Sequence, residues 1–133
     1  METTTARPTI ESETQEGAFC PVFHRAVELI GRRWTGAIVR ALLRGVVHFS
    51  DLTRVIPDLS DRMLSERLKE LEAEGIVERR VTPSTPVRVE YHLTDKGRAL
   101  APVLRAVSDW AYEWGAPRDT PAPDCPEPTS HER

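Results

Sequence analysis

Between positions 19 and 114 the apolar residues recur at spacings of three and four, apart from one stretch in which they alternate. Cys20 and Pro21 open a first helix, proline being well tolerated at the first helical position, and Gly31 closes it after FHRAVELI. A second helix is predicted over residues 33–44, RWTGAIVRALLR, ending at Gly45. A short third one follows in SDLTRVI, with Ser50 as its expected N-cap and Pro57 behind it. The fourth covers residues 60–74 and stops at Gly75.

From Ile76 the period falls to two: IVERRV, the turn TPSTP, then VRVEYHL. This predicts a β-hairpin with Val89, Tyr91 and Leu93 on one face, Arg88, Glu90 and His92 on the other, and a long Pro-rich loop. Thr94 is expected to cap a last helix reaching Trp114, along which Leu100, Val103, Leu104, Val107, Trp110, Ala111 and Trp114 form an apolar stripe. Pro102 lies early in it, so a kink or a late true start is expected there. Residues 1–18, rich in Thr, Glu and Ser, and 115–133, rich in Pro, lack periodic apolar positions and read as disordered tails around one domain at 19–114.

Two short helices separated by Pro57, Asp58 and Leu59 match a helix-turn-helix, and a hairpin after the second makes it winged. The fold class is therefore mainly α with a small β-hairpin wing. In such an arrangement the second helix enters the major groove of DNA and the hairpin loop lies along the flanking backbone or minor groove. At about 100° per residue, Leu68 and Leu71 fall within about 40° of Leu64, while Arg62, Ser65, Glu66 and Lys69 lie about 100° to 200° away. Arg62 and Lys69 suit guanine or phosphate, Ser60 and Ser65 suit base or backbone, and Glu66 suits cytosine or the orientation of Arg62. Ordinary surface pairing, such as Glu66 with Lys69, explains the same residues without DNA.

Composition first argues against a nucleic-acid partner, because the net charge is −3. Its distribution reverses the inference. Residues 1–18 carry one Arg against four Glu and residues 115–133 two Arg against four acids, whereas residues 19–114 carry 15 basic and 13 acidic groups. The domain is weakly basic, so a grip on DNA must come from placement and from doubling of sites. No apolar run suggests a membrane span and the N-terminus lacks the blocks of a secretory signal, which places the chain in the cytoplasm, with both cysteines, Cys20 and Cys125, reduced by default. The four histidines are scattered and there is no phosphate-binding Gly-rich loop, so no catalytic activity and no cofactor are expected.

CPVFHRAVELIGRRWTGAIVRALLRG, then HFSDLTRVIPDLSDRMLSERLKELEAEGIVERR, then PVRVEYHLTDKGRAL closely resemble the HxlR-type family of bacterial winged helix-turn-helix transcriptional regulators. The resemblance runs from Cys20 to about Trp114. It implies a homodimer paired through its N- and C-terminal helices, bound to a pseudo-palindromic operator in double-stranded DNA and most often repressing. By the same carry-over Arg88 occupies the wing position that reaches phosphate or minor groove, supported by Arg79 and Arg80, unless these only form a strand face paired with Glu78 or Glu90. Ser50 serves as helix cap and phosphate contact. The dimer interface falls on Leu100, Val103, Leu104, Val107, Trp110, Ala111 and Trp114; the alternative is that the two tryptophans cap the monomer's own core. A winged helix used only for protein contact is the competing function.

Three switches compete. Cys20 occupies the position of a cysteine that some relatives use to sense oxidants or electrophiles, with Cys125 as a candidate resolving thiol. Cys20 and His24 stand at metal-ligand spacing, but with no third ligand evident no metal is expected. Where the resemblance implies bulky aliphatics after Trp34 and Thr35, this chain has Gly36 and Ala37, leaving space for a small effector or for another helix packed close.

Overall fold

The computed structural model describes residues 17–115. Most of both expected tails, and Cys125, lie outside them. The chain divides into two compact units, Met1–Arg33 and Trp34–Arg133.

The described part of the first unit carries α1 (Pro21–Ile30), with Cys20 as N-cap, Pro21 at its start and Gly31 as C-cap. The start and stop signals in the sequence operate as expected. Phe19, Val22, Phe23 and Val27 are exposed.

The second unit begins with Trp34, whose φ of 77° turns the chain into α2 (Thr35–Leu43). Ile38, Val39 and Leu42 form the buried stripe of α2. Next comes α3 (Phe49–Val55), whose N-cap is His48 and not Ser50. The apolar stripe decides this: Phe49, Leu52 and Ile56 stand three and four apart, and burying Leu52 and Ile56 carries the helix back to Phe49. Ser50 sits exposed in the first turn, where its carbonyl accepts a hydrogen bond from Thr53 Oγ1 at 2.9 Å.

The turn after α3 passes through Asp58 at φ 67°, a left-handed conformation that a short polar side chain tolerates. It leads into α4 (Asp61–Ala73), where Ser60 is the N-cap and its hydroxyl oxygen accepts the N–H of Met63 at 3.1 Å. Leu64, Leu68 and Leu71 are fully buried, each contributing about 1.5–3 kcal/mol of apolar burial. At Gly75 the φ of +77° stops the helix and turns the chain into the hairpin.

Strands β1 (Val77–Thr82) and β2 (Arg88–Leu93) pair antiparallel, with Val77 opposite Leu93, Arg80 opposite Glu90 and Thr82 opposite Arg88. Val77 and Leu93 anchor the hairpin in the core while the outer end, including Val81 and Val87, is exposed. The N–H of Tyr91 donates to the carbonyl of Val47 at 2.9 Å, which ties the segment before α3 to the wing. The core thus joins Ile38, Val39 and Leu42 of α2, Leu52 of α3 with Ile56 and Leu59 of the turn after it, the three leucines of α4, and Ile76, Val77 and Leu93.

The predicted last helix is two. A short α5 (Asp95–Arg98) is capped by Thr94, whose hydroxyl oxygen accepts from Gly97 N–H at 3.1 Å. After a break, α6 (Ala101–Trp110) carries Pro102 in its first turn and runs into a π-helical turn, Ala111–Gly115. Proline lacks the N–H that a continuous helix would need, so the true start falls just before it.

Candidate nucleic-acid interface

Helices α3 and α4 with the turn between them form a helix-turn-helix, and β1–β2 is its wing. The buried leucines of α4 fix which side faces out. Arg62, Glu66 and Lys69 are exposed, Ser65 is half-buried at the edge, and Ser60 sits at the N-terminus as its cap. Arg62 has 89 % of its side chain exposed, and its Nε lies 3.4 Å from Glu66 Oε2.

Arg67 behaves differently. It is 8 % exposed and its Nη1 donates to Glu70 Oε2 at 3.2 Å, so it serves the packing of α4 and not the open face. Its register carried that information, since it lies about 60° from Leu64 at 100° per residue.

The C-terminal end of α4 is held by side chains that follow the wing. Lys96 Nζ donates to the carbonyl of Glu74 at 2.7 Å and Thr94 Oγ1 to that of Gly75 at 2.6 Å. Helix C-termini present unpaired carbonyls with partial negative charge, so an ammonium is well placed there. The orientation of α4 is therefore coupled to the hairpin base and to α5.

On the wing, strand alternation separates the two arginines read together from the sequence. Arg80 shares a face with Arg88, Glu78, Glu90 and His92, whereas Arg79 lies on the opposite face, across from Tyr91. Arg80 Nη2 donates to Glu78 Oε1 at 3.3 Å, a pair along one face of β1, and Arg88 is exposed beside the loop.

The sequence reading missed a cluster here: Glu90 lies between His92, 2.7 Å from its Oε1, and His48, 4.0 Å from its Oε2. The hydrogen bond with His92, aided by the nearby charges of His92, His48 and Arg88, holds the Glu90 carboxyl below the usual carboxylate range against a smaller opposing effect of desolvation. His48 precedes α3 while Glu90 and His92 belong to β2, so the cluster binds wing to helix-turn-helix. The Glu90–His92 pair follows from strand alternation, but nothing in local sequence brings in His48, which lies 42 positions before Glu90.

In the first unit, Cys20 is exposed and its Sγ accepts the N–H of Phe23 at 3.4 Å. His24 turns to Glu28, with Nε2 4.0 Å from Oε2, and its ring lies 5.2 Å from that of Phe19. Among the described residues no group of three or more possible ligands is arranged to hold a metal ion. Trp34 is half-buried and Ala37 exposed, and a Cβ added at Gly36 would meet nothing within 4 Å. Along α6, Leu100, Leu104 and Ala111 are half-buried, while Val103, Val107, Trp110 and Trp114 are exposed, the last by 74 %. Among the described residues nothing covers Trp110 and Trp114 as a core would. No described helix is long and apolar enough to cross a membrane.

Residues 29–119 match the family described as HxlR-like helix-turn-helix. The transcriptional regulator YvaP of Bacillus subtilis, itself described as uncharacterized, is 54 % identical over 99 residues, spanning 74 % of this chain and 92 % of its own. The reduced form of the B. subtilis regulator YodB superposes with a TM-score of 0.68 at 46 % identity, covering 76 % of this chain and 99 % of YodB. The quinone-bound form of YodB gives 0.63 at 43 %, covering 72 % and 100 %. Taken with the exposed polar face of α4 and the wing beside it, these likenesses establish that the chain belongs to the HxlR-like family of helix-turn-helix transcriptional regulators.

Proposed function

We propose that the protein is a homodimeric repressor that binds a pseudo-palindromic operator in double-stranded DNA and releases it when an electrophile or oxidant reacts at Cys20. The observation that carries DNA binding is the face of α4: Arg62, Glu66 and Lys69 stand open on the second helix of a helix-turn-helix whose other side is sealed by Leu64, Leu68 and Leu71. Ser60 and Ser65 are edge contacts, Ser50 a backbone contact from α3, and Arg88 with Arg80 the phosphate contacts of the wing; Arg79 faces away from these two.

Pairing is supported by the apolar stripe Val103, Val107, Trp110 and Trp114, because so much exposed aromatic and aliphatic surface is unusual without a partner. A second copy also doubles a weakly basic surface. The working compartment is the cytoplasm, where thiols rest reduced.

The thiol reading rests on the exposure of Cys20 and on a relative whose structure is described as quinone-bound. A quinone accepts a thiolate by conjugate addition: an S–C bond forms, the electron pair of the alkene moves to oxygen, and that oxygen takes up a proton. The effector space near Trp34, Gly36 and Ala37 is a second route, supported by the open surroundings of Gly36.

Titrating full-length protein against random duplex DNA at several salt concentrations tests the first half. Binding that weakens steeply with salt is expected, since each phosphate contact releases counterions; a module for protein contact alone shows almost none. For the second half, quinone treatment should release bound DNA from the unmodified protein and leave a Cys20→Ser variant bound. Release that persists in Cys20→Ser and is lost in Cys125→Ser would assign the response to the wrong thiol.

A further inference from the structure

The open face of α4 poses an electrostatic problem. At about 100° per residue the ridge directly opposite Leu64 is Arg62, Glu66, Lys69 and Ala73. A carboxylate occupies its centre, between two cations, on the surface assigned to a polyanion. Within α4 as a whole Arg62, Arg67 and Lys69 face Asp61, Glu66, Glu70 and Glu72, so the helix that should enter the groove is net negative. Glu66 must weaken attraction to any duplex, whatever its sequence.

We infer that Arg62 and Glu66 act as one reading unit, specific for a G·C base pair in a fixed orientation in each half-site, with Glu66 as its discriminating member. This rests on the DNA-binding reading of α4 given above. The geometry supplies the argument. Arg62 meets Glu66 through Nε, 3.4 Å from Oε2, on a side chain that is 89 % exposed. A carboxylate held at Nε leaves the Nη edge of the guanidinium for guanine O6 and N7, which arginine can engage together. The carboxylate beside it can only accept, and in the major groove only the amino groups of cytosine and adenine donate. A G·C pair shows two acceptors on guanine and a donor on cytosine side by side, which is the complement of a guanidinium beside a carboxylate. Reversing the pair sets the carboxylate against O6 and N7. Glu66 thus lowers affinity for every sequence while lowering it far more for the wrong ones, the way repulsive elements produce specificity. A plain i, i+4 surface pair would add slightly to helix stability and nothing to base choice.

The test selects duplexes from a random pool with the full-length protein, then titrates the selected operator and its single-pair variants against wild type, Glu66→Ala and Glu66→Gln. Wild type should select a G·C pair at symmetric positions and bind its reversal about tenfold or more weakly. Glu66→Ala should bind random duplex more tightly, by about tenfold for two subunits, while preference at that position collapses. Glu66→Gln should shift the preference toward adenine, since an amide offers both a donor and an acceptor. Unchanged base preference in both variants, or random-duplex affinity no greater in Glu66→Ala, overturns the reading unit and leaves the DNA-binding assignment standing. Wild-type protein that retains no duplex at all overturns that assignment itself, so the two failures are distinct.

Discussion

Gly97 is the position where the smallest change should be felt most. A Cβ there would lie 2.3 Å from the carbonyl oxygen of Ile76 and 2.8 Å from Leu93 Cδ2, so backbone would have to move where α5 crosses the base of the wing. Gly97→Ala is predicted to destabilise the fold by about 1–3 kcal/mol, as overpacking does, read as a lower urea midpoint at unchanged slope. Glu90 gives a prediction in pH. Its folded pKa lies below the unfolded one, so its contribution to stability is present above the unfolded value and is lost as pH falls through the folded value. Glu90→Gln should therefore be less stable than wild type at neutral pH, and the gap should close in strong acid. A gap that is independent of pH would mean that the His48–Glu90–His92 cluster does not hold the wing through charge.

Among the elements, the sequence marks those whose boundaries are set locally. Pro21, Ser60, Gly31 and Gly75 act as helix starts and stops because capping uses only neighbouring backbone, and the break before Pro102 follows from a missing N–H. Ser50 has the side chain of an N-cap, but the stripe Phe49, Leu52 and Ile56 extends α3 back to His48, so local capping preference yields to burial there. The site divides in the same way. The open face of α4 follows from helical period alone, but the opposite facing of Arg79 and Arg80 depends on strand register, and the meeting of His48 with Glu90 depends on tertiary packing. The two reading elements should differ functionally. Arg62→Ala on α4 is expected to lose about 1–3 kcal/mol on the operator and to relax base preference, whereas Arg88→Ala on the wing should weaken operator and random duplex by the same factor and reduce the salt slope. Titrating both variants on both duplexes decides it, and equal losses on every sequence from both changes would exchange their roles.

For the whole molecule, the proposed DNA affinity rests on pairing, because one copy has a net charge of −3, its residues 19–114 carry only 15 basic against 13 acidic groups, and a carboxylate stands at the centre of the proposed reading face. The stripe on α6 offers the means. Val107→Glu places a charge among residues exposed by 43 to 74 %, where it harms the folded monomer little and a paired interface greatly. Sedimentation should show a monomer, and operator binding should fall by far more than any single phosphate contact would remove; a dimer that persists unchanged would place the interface elsewhere. The most direct measurement on the central claim is a hydroxyl-radical footprint of wild-type protein on its selected operator. Two symmetric protected patches are predicted, centred about 10–10.5 base pairs apart, one turn of the duplex for two α4 helices. A single patch, or two at a spacing that is no multiple of a turn, would contradict it.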